Sequence, residues 1–238
     1  MNKSYQIKSF ELGPMDNLIH IVWDIATKKA AVFDPAWDAD FILDFINKNG
    51  LTLDKILITH SHFDHINAIP ELLSATDGAI FIDQAEYFHP QAQVFPEHVN
   101  FVSQDTIIEL GKTKISCITT PGHSIGGVCY QLSHDVITGD TIFIYGCGHC
   151  ALPGADVNKL FSSLETLKQK LDPELIVHTS HTYGISNTST WQQQLDGNPF
   201  LHFDNLADFI NFRNNIHDNI RTYPMQPITK AEIAKYLS

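Results

Sequence analysis

The chain is poor in basic residues. It carries 15 lysines and arginines against 27 aspartates and glutamates, which leaves a formal net charge of −12 at pH 7. Nucleic-acid-binding proteins neutralise phosphates with clustered lysine and arginine, and this sequence has no such cluster. The same acidity would repel an anionic membrane surface. We therefore expect no nucleic-acid partner and no membrane partner.

Long hydrophobic runs are also lacking. No apolar stretch reaches the roughly 18 residues that a membrane-spanning helix needs, and Met1 to Ile7 lack the apolar segment of a secretory signal. Hydrophobic residues nevertheless make up 43% of the 238-residue chain, enough to bury a substantial core. We expect a cytoplasmic protein, and the sequence leaves a homo-oligomer open.

Cysteine is scarce, with four in the chain. Cys117 and Cys129 lie in apolar, strand-like runs, where a thiol is most simply a small buried side chain. Cys147 and Cys150 form a Cys-x-x-Cys pair, which is a redox signature when it opens the helix of a thioredoxin-like unit. Here residues 151–154 predict a loop, which weighs against a redox role.

Histidine, by contrast, is plentiful, with 13 in the chain, and three of them fall within one short segment. Residues 59–65 read Thr-His-Ser-His-Phe-Asp-His, directly after the apolar run of residues 56–58. Neutral imidazole is the commonest protein metal ligand, and a carboxylate adds an oxygen donor that helps to neutralise a dication. The segment is predicted to be the nucleus of a metal site.

Short apolar runs alternate with amphipathic segments along most of the chain. The periodicity predicts strands at 30–33, 55–59, 79–82, 115–119, 128–132, 136–138 and 175–177, and helices at 38–49, 66–73 and 157–171. This order indicates an α/β layered fold. Later residues predict a helix over 205–220 and a terminal helix that a Thr229-x-x-Glu232 capping box opens. We predict a core over residues 1–190 and a helical extension over 191–238, packed on the core.

Three further polar residues follow predicted strands as the histidine segment does. These are His123 in Pro-Gly-His, Asp140 in Gly-Asp, and the more distant His181. Each is a weak signal alone, since such sequences are equally typical of turns. Residues just past the ends of several strands can converge on one rim of an α/β sheet, where sites are usually built.

Taken in this order, His-x-His-x-Asp-His, Gly-His, Gly-Asp and a distant histidine resemble the metallo-β-lactamase superfamily over roughly residues 10–185. The resemblance implies a four-layer αββα sandwich whose residues 1–190 form the catalytic domain, with a dinuclear metal site. Carried over position by position, it implies seven ligands: His60, His62 and His123 on the first ion, Asp64, His65 and His181 on the second, and Asp140 on both. We expect two divalent ions, zinc foremost, with iron and manganese open because affinity order does not choose among them.

Within the superfamily, the sequence is similar to glyoxalase II, the hydroxyacylglutathione hydrolases. The likeness lies in Gly139 to Phe143, followed by Gly146-Cys147-Gly148, and in Leu152 to Asp156 opening a helix. It implies hydrolysis of a small-molecule acyl thioester or related ester by a hydroxide that bridges two metals. Asp64 would then be a catalytic residue that orients the hydroxide as well as a ligand.

The sequence differs from glyoxalase II where the substrate is recognised. His149 stands where a basic residue usually follows Gly-Cys-Gly, and no counterpart of the residues that grip glutathione is evident. The acyl group and the thiol therefore stay open. Tyr145, His149 and Tyr183 are predicted substrate contacts, although packing would explain the two tyrosines equally well.

Other functions are compatible with the same motifs. A persulfide dioxygenase looks similar, and there the resemblance implies one iron on His60, His123 and Asp140 with open positions for oxygen. A lactonase or small-ester hydrolase would use the same site, and a binding module would hold metal without turnover. His178, three residues before His181, is the competing candidate for the last ligand.

Overall fold

The computed structural model describes residues 3–90, 95–96 and 98–237. Two six-stranded mixed sheets face each other. The first sheet contains, in spatial order, β1 (Tyr5–Leu12), β2 (Asn17–Asp24), β3 (Lys29–Phe33), β4 (Thr52–Leu57), β5 (Ala79–Asp83) and β6 (Asn100–Val102). Strands β1 to β3 are antiparallel neighbours, whereas β3 to β6 run parallel.

The second sheet has the same size but a different pairing. Its strands, in spatial order, are β12 (Thr188–Thr190), β11 (Ile176–His178), β10 (Asp135–Ile137), β9 (Val128–Gln131), β8 (Thr113–Thr119) and β7 (Ile107–Leu110). Only β10 and β11 are parallel neighbours. Strands β8, β10 and β11 therefore point in one direction, and their carboxyl ends lie at one edge of the sheet.

Helices connect and flank the sheets. They are α1 (Ala39–Lys48), α2 (Phe63–Ile66), α3 (Ile69–Ala75), α4 (Gln84–Tyr87), α5 (Val157–Lys170), α6 (Trp191–Gly197), a 3-10 turn (Pro199–Leu201), α7 (Leu206–Asn211), a π-helical segment (Phe212–Ile216), α8 (His217–Ile220) and α9 (Lys230–Leu237). Asp38 caps α1 by accepting from the Phe41 amide, as expected of an aspartate at a helix start. Asp156 caps α5 in the same way.

Side chains that alternate along the strands build three cores. In β3, Val32 packs with α1 and α3 on the outer face of the first sheet, whereas Phe33 faces the second sheet. In β8, Cys117 lies between the sheets and Ile118 packs with α5 and the C-terminal helices. Because successive strand side chains point to opposite faces, each sheet is covered on both sides. The predicted four-layer αββα fold is confirmed.

The helix predicted over 66–73 is wrong as a single helix. The structure has two helices there, α2 and α3, separated at Asn67 and Ala68. Pro70 lies in the first turn of α3, where its missing N–H has no intrahelical partner to lose. The edge strands β1, β6, β7 and β12 were not predicted, since their runs are short or partly polar. Strand β2 was not predicted either, because its residues are nearly all buried and lack the alternation that identifies a strand.

The C-terminal segments pack on the outer face of the second sheet. Helix α7, the π-helical segment and α8 follow one another without a break, and they place Phe209 and Phe212 in one core with Leu164 of α5. The capping box is confirmed: Glu232 Oε2 accepts from the Thr229 amide at 2.8 Å, and the Thr229 hydroxyl oxygen accepts from the Glu232 amide at 3.4 Å. The division of the chain at residue 190 stays a prediction.

None of the helices in the described ranges is long and apolar enough to cross a membrane.

Candidate metal centre

Four segments bring the seven predicted ligands together at the carboxyl ends of strands. Strand β4 leads into the histidine segment, whose Asp64 and His65 lie on α2. The loops after β8, β10 and β11 carry His123, Asp140 and His181. The two sheets thus each supply part of one site, as expected for residues that follow strand ends.

The first set of donors consists of His60, His62 and His123. His60 Nε2 lies 3.0 Å from His62 Nδ1, and His123 Nε2 lies 3.1 Å from the same atom. All three side chains are buried, and their ligand atoms are close enough together to hold one ion. Three imidazole nitrogens around one point are a donor set typical of zinc or iron.

The second set consists of Asp64, His65 and His181. Asp64 Oδ2 lies 3.4 Å from His65 Nε2 and 3.5 Å from His181 Nε2. These side chains are also buried, and they too could hold an ion. The set differs from the first by one oxygen donor, so the two positions are chemically distinct.

Asp140 lies between the two sets. Its Oδ2 is 3.4 Å from His123 Nε2 in the first set. Its Oδ1 is 3.4 Å from His181 Nε2 and 3.6 Å from His65 Nε2 in the second. Each oxygen of one carboxylate therefore faces a different set, which is the geometry that a bridging ligand requires.

The buried polar atoms of this site fit a cation. Among the described residues, His65 Nε2 and Asp140 Oδ1 are buried and have no hydrogen-bond partner. Buried polar atoms in folded proteins are nearly always paired, because an unpaired one costs about 1–3 kcal/mol. Both atoms point into the second donor set, where a divalent ion would satisfy them. The roles of the seven residues as ligands stay predictions.

Asp34 orients His65 from behind. It follows β3, is buried, and accepts from the Thr59 amide at 2.7 Å and the Thr59 hydroxyl at 2.6 Å. His65 Nδ1 donates to Asp34 Oδ2 at 3.0 Å, and the Ser180 hydroxyl donates to the same oxygen at 3.1 Å. This hydrogen bond places a proton on Nδ1 and aims Nε2 at the site, so Nε2 is the nitrogen that would bind a metal ion. Sequence analysis missed Asp34, although an Asp-Pro pair directly after an apolar strand was the available signal.

Other predicted ligands are held in a similar way. His123 Nδ1 donates to the His149 carbonyl oxygen at 2.7 Å, and His181 Nδ1 donates to the Met15 carbonyl oxygen at 2.9 Å. Asn17 Nδ2 donates to Asp64 Oδ2 at 3.0 Å. Such partners fix ring tautomers and carboxylate orientation. The strand β2 that supplies Asn17 was not predicted, so this contact was missed as well.

Burial and neighbouring charges shift the pKa values of the site histidines in different directions. Burial, followed by repulsion from His65, holds the pKa of His60 well below its usual value. Burial and repulsion from His123 lower the pKa of His62 to about 4. Both rings are therefore neutral at pH 7, the form that binds metals. Burial also lowers the pKa of His65, but the Asp140 carboxylate and Asp34 outweigh it and raise that pKa to about 10.

A cavity of about 620 Å³ opens above the two sets. Five of the seven predicted ligands line it: His62, Asp64, His123, Asp140 and His181. Its volume is within the range of small-molecule sites. The predicted contacts His149 and Tyr183 also line it, and the Tyr183 ring stacks on His181 at 4.5 Å between centroids.

Tyr145 does not line this cavity. It packs against the core that α5 and the C-terminal helices form, and it borders a separate cavity of about 180 Å³. The structure therefore places Tyr145 outside the lining of the main cavity, and its role as a substrate contact stays a prediction. Packing in the core accounts for its position.

Sequence analysis missed the contribution of the C-terminal helices to the cavity. Arg213, Asp218 and Arg221 line one wall. Arg213 Nη2 donates to both carboxylate oxygens of Asp218, at 2.9 and 3.1 Å. The predicted helix over 205–220 placed Arg213 on it, but nothing local indicated that this arginine would border the site.

His178 and the cysteines lie outside the donor sets. His178 Nε2 donates to Asp135 Oδ1 at 2.8 Å. Of the two candidates for the last ligand, His181 is therefore the one that lies in the site. Cys147 and Cys150 are free thiols. Burial raises the pKa of Cys150 to about 11, and burial raises that of Cys147 as well. A thiol is reactive as its thiolate, so a redox role is disfavoured.

Known proteins resemble this chain over most of its length. A family model described as Metallo-beta-lactamase superfamily matches residues 12–181. The probable polyketide biosynthesis zinc-dependent hydrolase PksB of Bacillus subtilis is 30% identical over 217 residues, 90% of this chain and 95% of that protein. A hydroxyacylglutathione hydrolase of Bdellovibrio bacteriovorus is 34% identical over 181 residues, 74% of this chain and 68% of that protein. The structure of ETHE1 from Myxococcus xanthus, 21% identical, has a TM-score of 0.79 and matches over 98% of both chains.

Proposed function

The chain belongs to the metallo-β-lactamase superfamily, and from that premise we propose that it is a dinuclear, zinc-dependent hydrolase of acyl thioesters or related esters. A metal-dependent hydrolase is the class that the family and the relatives' names indicate. One observation supports the dinuclear form above all: two complete donor sets share Asp140 at the floor of a single cavity. A single-ion site would leave the second set of buried donors unused.

The proposed roles follow from the donor sets. His60, His62 and His123 would hold the first ion, Asp64, His65 and His181 the second, and Asp140 both. When bound, such ions lower the pKa of a shared water and polarise a substrate carbonyl. Asp64 borders the cavity and Asn17 fixes its carboxylate, so we assign it the role of orienting the attacking water.

One relative's name supports a thioester as substrate class, and both names support hydrolysis. One is named for hydroxyacylglutathione, which is a thioester, and the other for zinc-dependent hydrolysis in polyketide biosynthesis. The two proteins thus share the reaction type and differ in the context of the substrate. In the cavity of this chain, Arg213 is already paired with Asp218, so the arginine is not free for a glutathione carboxylate.

Metal analysis followed by a substrate panel tests the proposal. Protein purified from zinc-supplemented medium should hold about two metal ions per chain. It should hydrolyse at least one member of a panel of S-lactoylglutathione, acyl-coenzyme A and acyl N-acetylcysteamine thioesters. Chelation should abolish this activity and zinc should restore it, while an Asp140→Asn variant should stay inactive in both conditions.

Other results would identify another function. A single iron with thiol-dependent oxygen uptake would indicate the dioxygenase, and hydrolysis confined to lactones would indicate a lactonase. Protein that holds two ions and leaves the whole panel intact would contradict the proposal.

A further inference from the structure

Four large side chains with exposed surface surround the mouth of the cavity. Met15, Phe63, Leu152 and Tyr223 line it and remain 45%, 63%, 39% and 65% exposed. We call these four side chains the apolar rim. Single exposed hydrophobic residues are ordinary on protein surfaces, but a group of them around one cavity marks a binding surface. The rim is therefore a candidate for contact with substrate.

Apart from the predicted metal ligands, the charged side chains that line the cavity, Arg213, Asp218 and Arg221, pair with one another. Arg213 donates to Asp218 at 2.9 Å and 3.1 Å, and its Nη1 lies 3.1 Å from His217 Nδ1. Arg221 Nη1 is 3.7 Å from Asp218 Oδ1. A ligand that enters the cavity therefore meets paired charges on this wall. Covering charged groups without new partners costs free energy. Apart from the predicted metal ligands, the cavity surface that a ligand can cover without this cost is apolar.

Phe63 is the member of the rim that stands within the histidine segment. It lies between His62 and Asp64 in sequence and begins α2. Its ring meets the Trp37 ring edge-on at 5.9 Å, and Trp37 Nε1 in turn donates to Asn17 Oδ1 at 2.7 Å. Phe63 thus packs against Trp37 on one side, and its exposed surface lines the cavity that the predicted ligands border.

The apolar surface matches one half of a thioester. Thiols that carry acyl groups in cells, such as glutathione and pantetheine, are polar and rich in amides. The acyl group is the half of such a substrate that gains most from leaving water for an apolar surface.

We propose that the apolar rim selects thioesters with an extended apolar acyl chain, and that Phe63 is a specificity-determining residue for that chain. This inference rests on the proposed thioester hydrolysis and names the class of acyl group. It excludes a preference for short polar groups such as lactoyl.

An acyl series on one neutral thiol tests the proposal. The zinc-loaded protein is assayed with acetyl, butanoyl, hexanoyl and octanoyl N-acetylcysteamine. We expect kcat/KM to rise about fourfold for each methylene that the cavity buries, and hence by at least tenfold from acetyl to hexanoyl. Hydrolysis of every member without a rise overturns the inference and leaves the proposed function intact. Hydrolysis of S-lactoylglutathione without hydrolysis of any member of the series also overturns the inference. If the protein hydrolyses neither the series nor the other thioesters of the panel, the proposed thioesterase activity is contradicted.

A binding measurement keeps the two failures apart. Non-hydrolysable S-ethyl and S-octyl thioether analogues of N-acetylcysteamine are titrated by calorimetry. The octyl compound should bind at least tenfold more tightly and with a more negative heat-capacity change, the signature of apolar burial. Equal affinities overturn the inference whatever the activity assay shows.

Variants test which side chains determine the dependence of kcat/KM on acyl length. Phe63→Ala should remove most of the dependence of kcat/KM on acyl length while retaining the wild-type metal content. Leu152→Ala, which changes a loop residue, should reduce the same dependence and provides a second measurement if Phe63→Ala is unstable. Phe88→Ala is the matched control, because Phe88 is 67% exposed and is not among the residues that line the cavity. A Phe63→Ala enzyme with the wild-type length dependence would show that Phe63 does not determine specificity.

Discussion

Asp34 shows, at the residue scale, how one buried carboxylate can organise a site that it does not line. Its two oxygens accept from Thr59 at the end of β4, from His65 in the second donor set, and from Ser180 just before His181. Hydrogen bonds to an ionised carboxylate are stronger than those between neutral groups. A buried carboxylate that accepts several of them therefore holds its partners more firmly than a single neutral contact would. The position of His65 Nε2 depends on it.

Replacing Asp34 tests this dependence. Asp34→Asn should weaken binding of the second metal ion by roughly 10- to 100-fold, the usual effect of losing a partner that orients a ligand. The measurement is metal occupancy against a competing chelator. Asp54→Asn is the control, since Asp54 pairs with Lys29 at the surface. Unchanged occupancy in the Asp34 variant would show that His65 is oriented by packing alone.

His20 predicts a pH dependence of stability. It is buried, donates through Nε2 to the Thr179 carbonyl oxygen, and accepts at Nδ1 from the Ser9 hydroxyl. Burial and repulsion from His178 lower its pKa to about 3. Below the unfolded-state pKa of about 6.5, the unfolded chain binds a proton that the folded chain does not, so acid destabilises the fold.

The expected size of this effect is measurable. Between pH 7 and pH 5, His20 should account for about 2 kcal/mol of the lost free energy of unfolding. Denaturant titrations of chelator-treated wild-type and His20→Asn protein at both values give the difference. A variant that loses as much stability as the wild type over this interval would show that His20 is not the group responsible.

At the scale of elements, the short helix α4 ties together two of the loops that carry ligands. Glu86 of α4 is buried and accepts from the amide and hydroxyl of Ser61, at 2.9 and 2.5 Å, through Oε2. Its Oε1 accepts from the Gly126 amide at 2.7 Å. Ser61 stands between His60 and His62, and Gly126 lies three residues after His123. One side chain therefore links both halves of the first donor set.

Glu86→Gln keeps the shape of this link and removes its charge. The amide nitrogen cannot accept the hydrogen bonds that one carboxylate oxygen now accepts, and charged hydrogen bonds of this kind contribute about 1.5–3 kcal/mol each. We expect weaker metal binding at the first site, with a smaller effect at the second. Site-resolved metal titration measures it, with Glu71→Gln on the exposed surface of α3 as control. Equal weakening at both sites would indicate general destabilisation instead.

At the scale of the whole molecule, the site spans both sheets. The histidine segment follows β4 of the first sheet, whereas His123, Asp140 and His181 follow strands of the second. Ions held by both groups would therefore connect the two halves of the sandwich. A ligand that binds only the folded state stabilises it according to its concentration and affinity.

Metal removal should accordingly lower thermal stability. Chelator-treated protein should have a lower Tm than zinc-loaded protein, with about 2.7 kcal/mol of stabilisation when free zinc is 100 times its Kd. Differential scanning calorimetry across a zinc series measures the shift, and Asp140→Asn should respond less. A Tm that changes neither with chelator nor with zinc would contradict a metal site that joins the two sheets.

The order of elements around the site could be predicted from the sequence to a large extent. The superfamily resemblance and the αββα sandwich that it implies are confirmed, because the ordered motifs that carry the resemblance are local features of the chain. The apolar periodicity by itself predicted an α/β layered fold. Strand β2 was not predicted, and neither was Asn17, which lies on it and donates a hydrogen bond to Asp64. Its eight residues are nearly all buried, so the alternation that usually identifies a strand is absent.

The sequence by itself determined the kinds of donors, their order and the fold that would carry them, since these depend on residue identity and local pattern. Only the tertiary structure decided that Asp140 presents one oxygen to each donor set, that His181 enters the site while His178 pairs with Asp135, and that Tyr145 packs in the core. It also decided that Phe63 and three distant side chains form one apolar rim. The physical reason is that these relations join residues far apart in sequence, and the packing of two sheets and their helices brings them within contact.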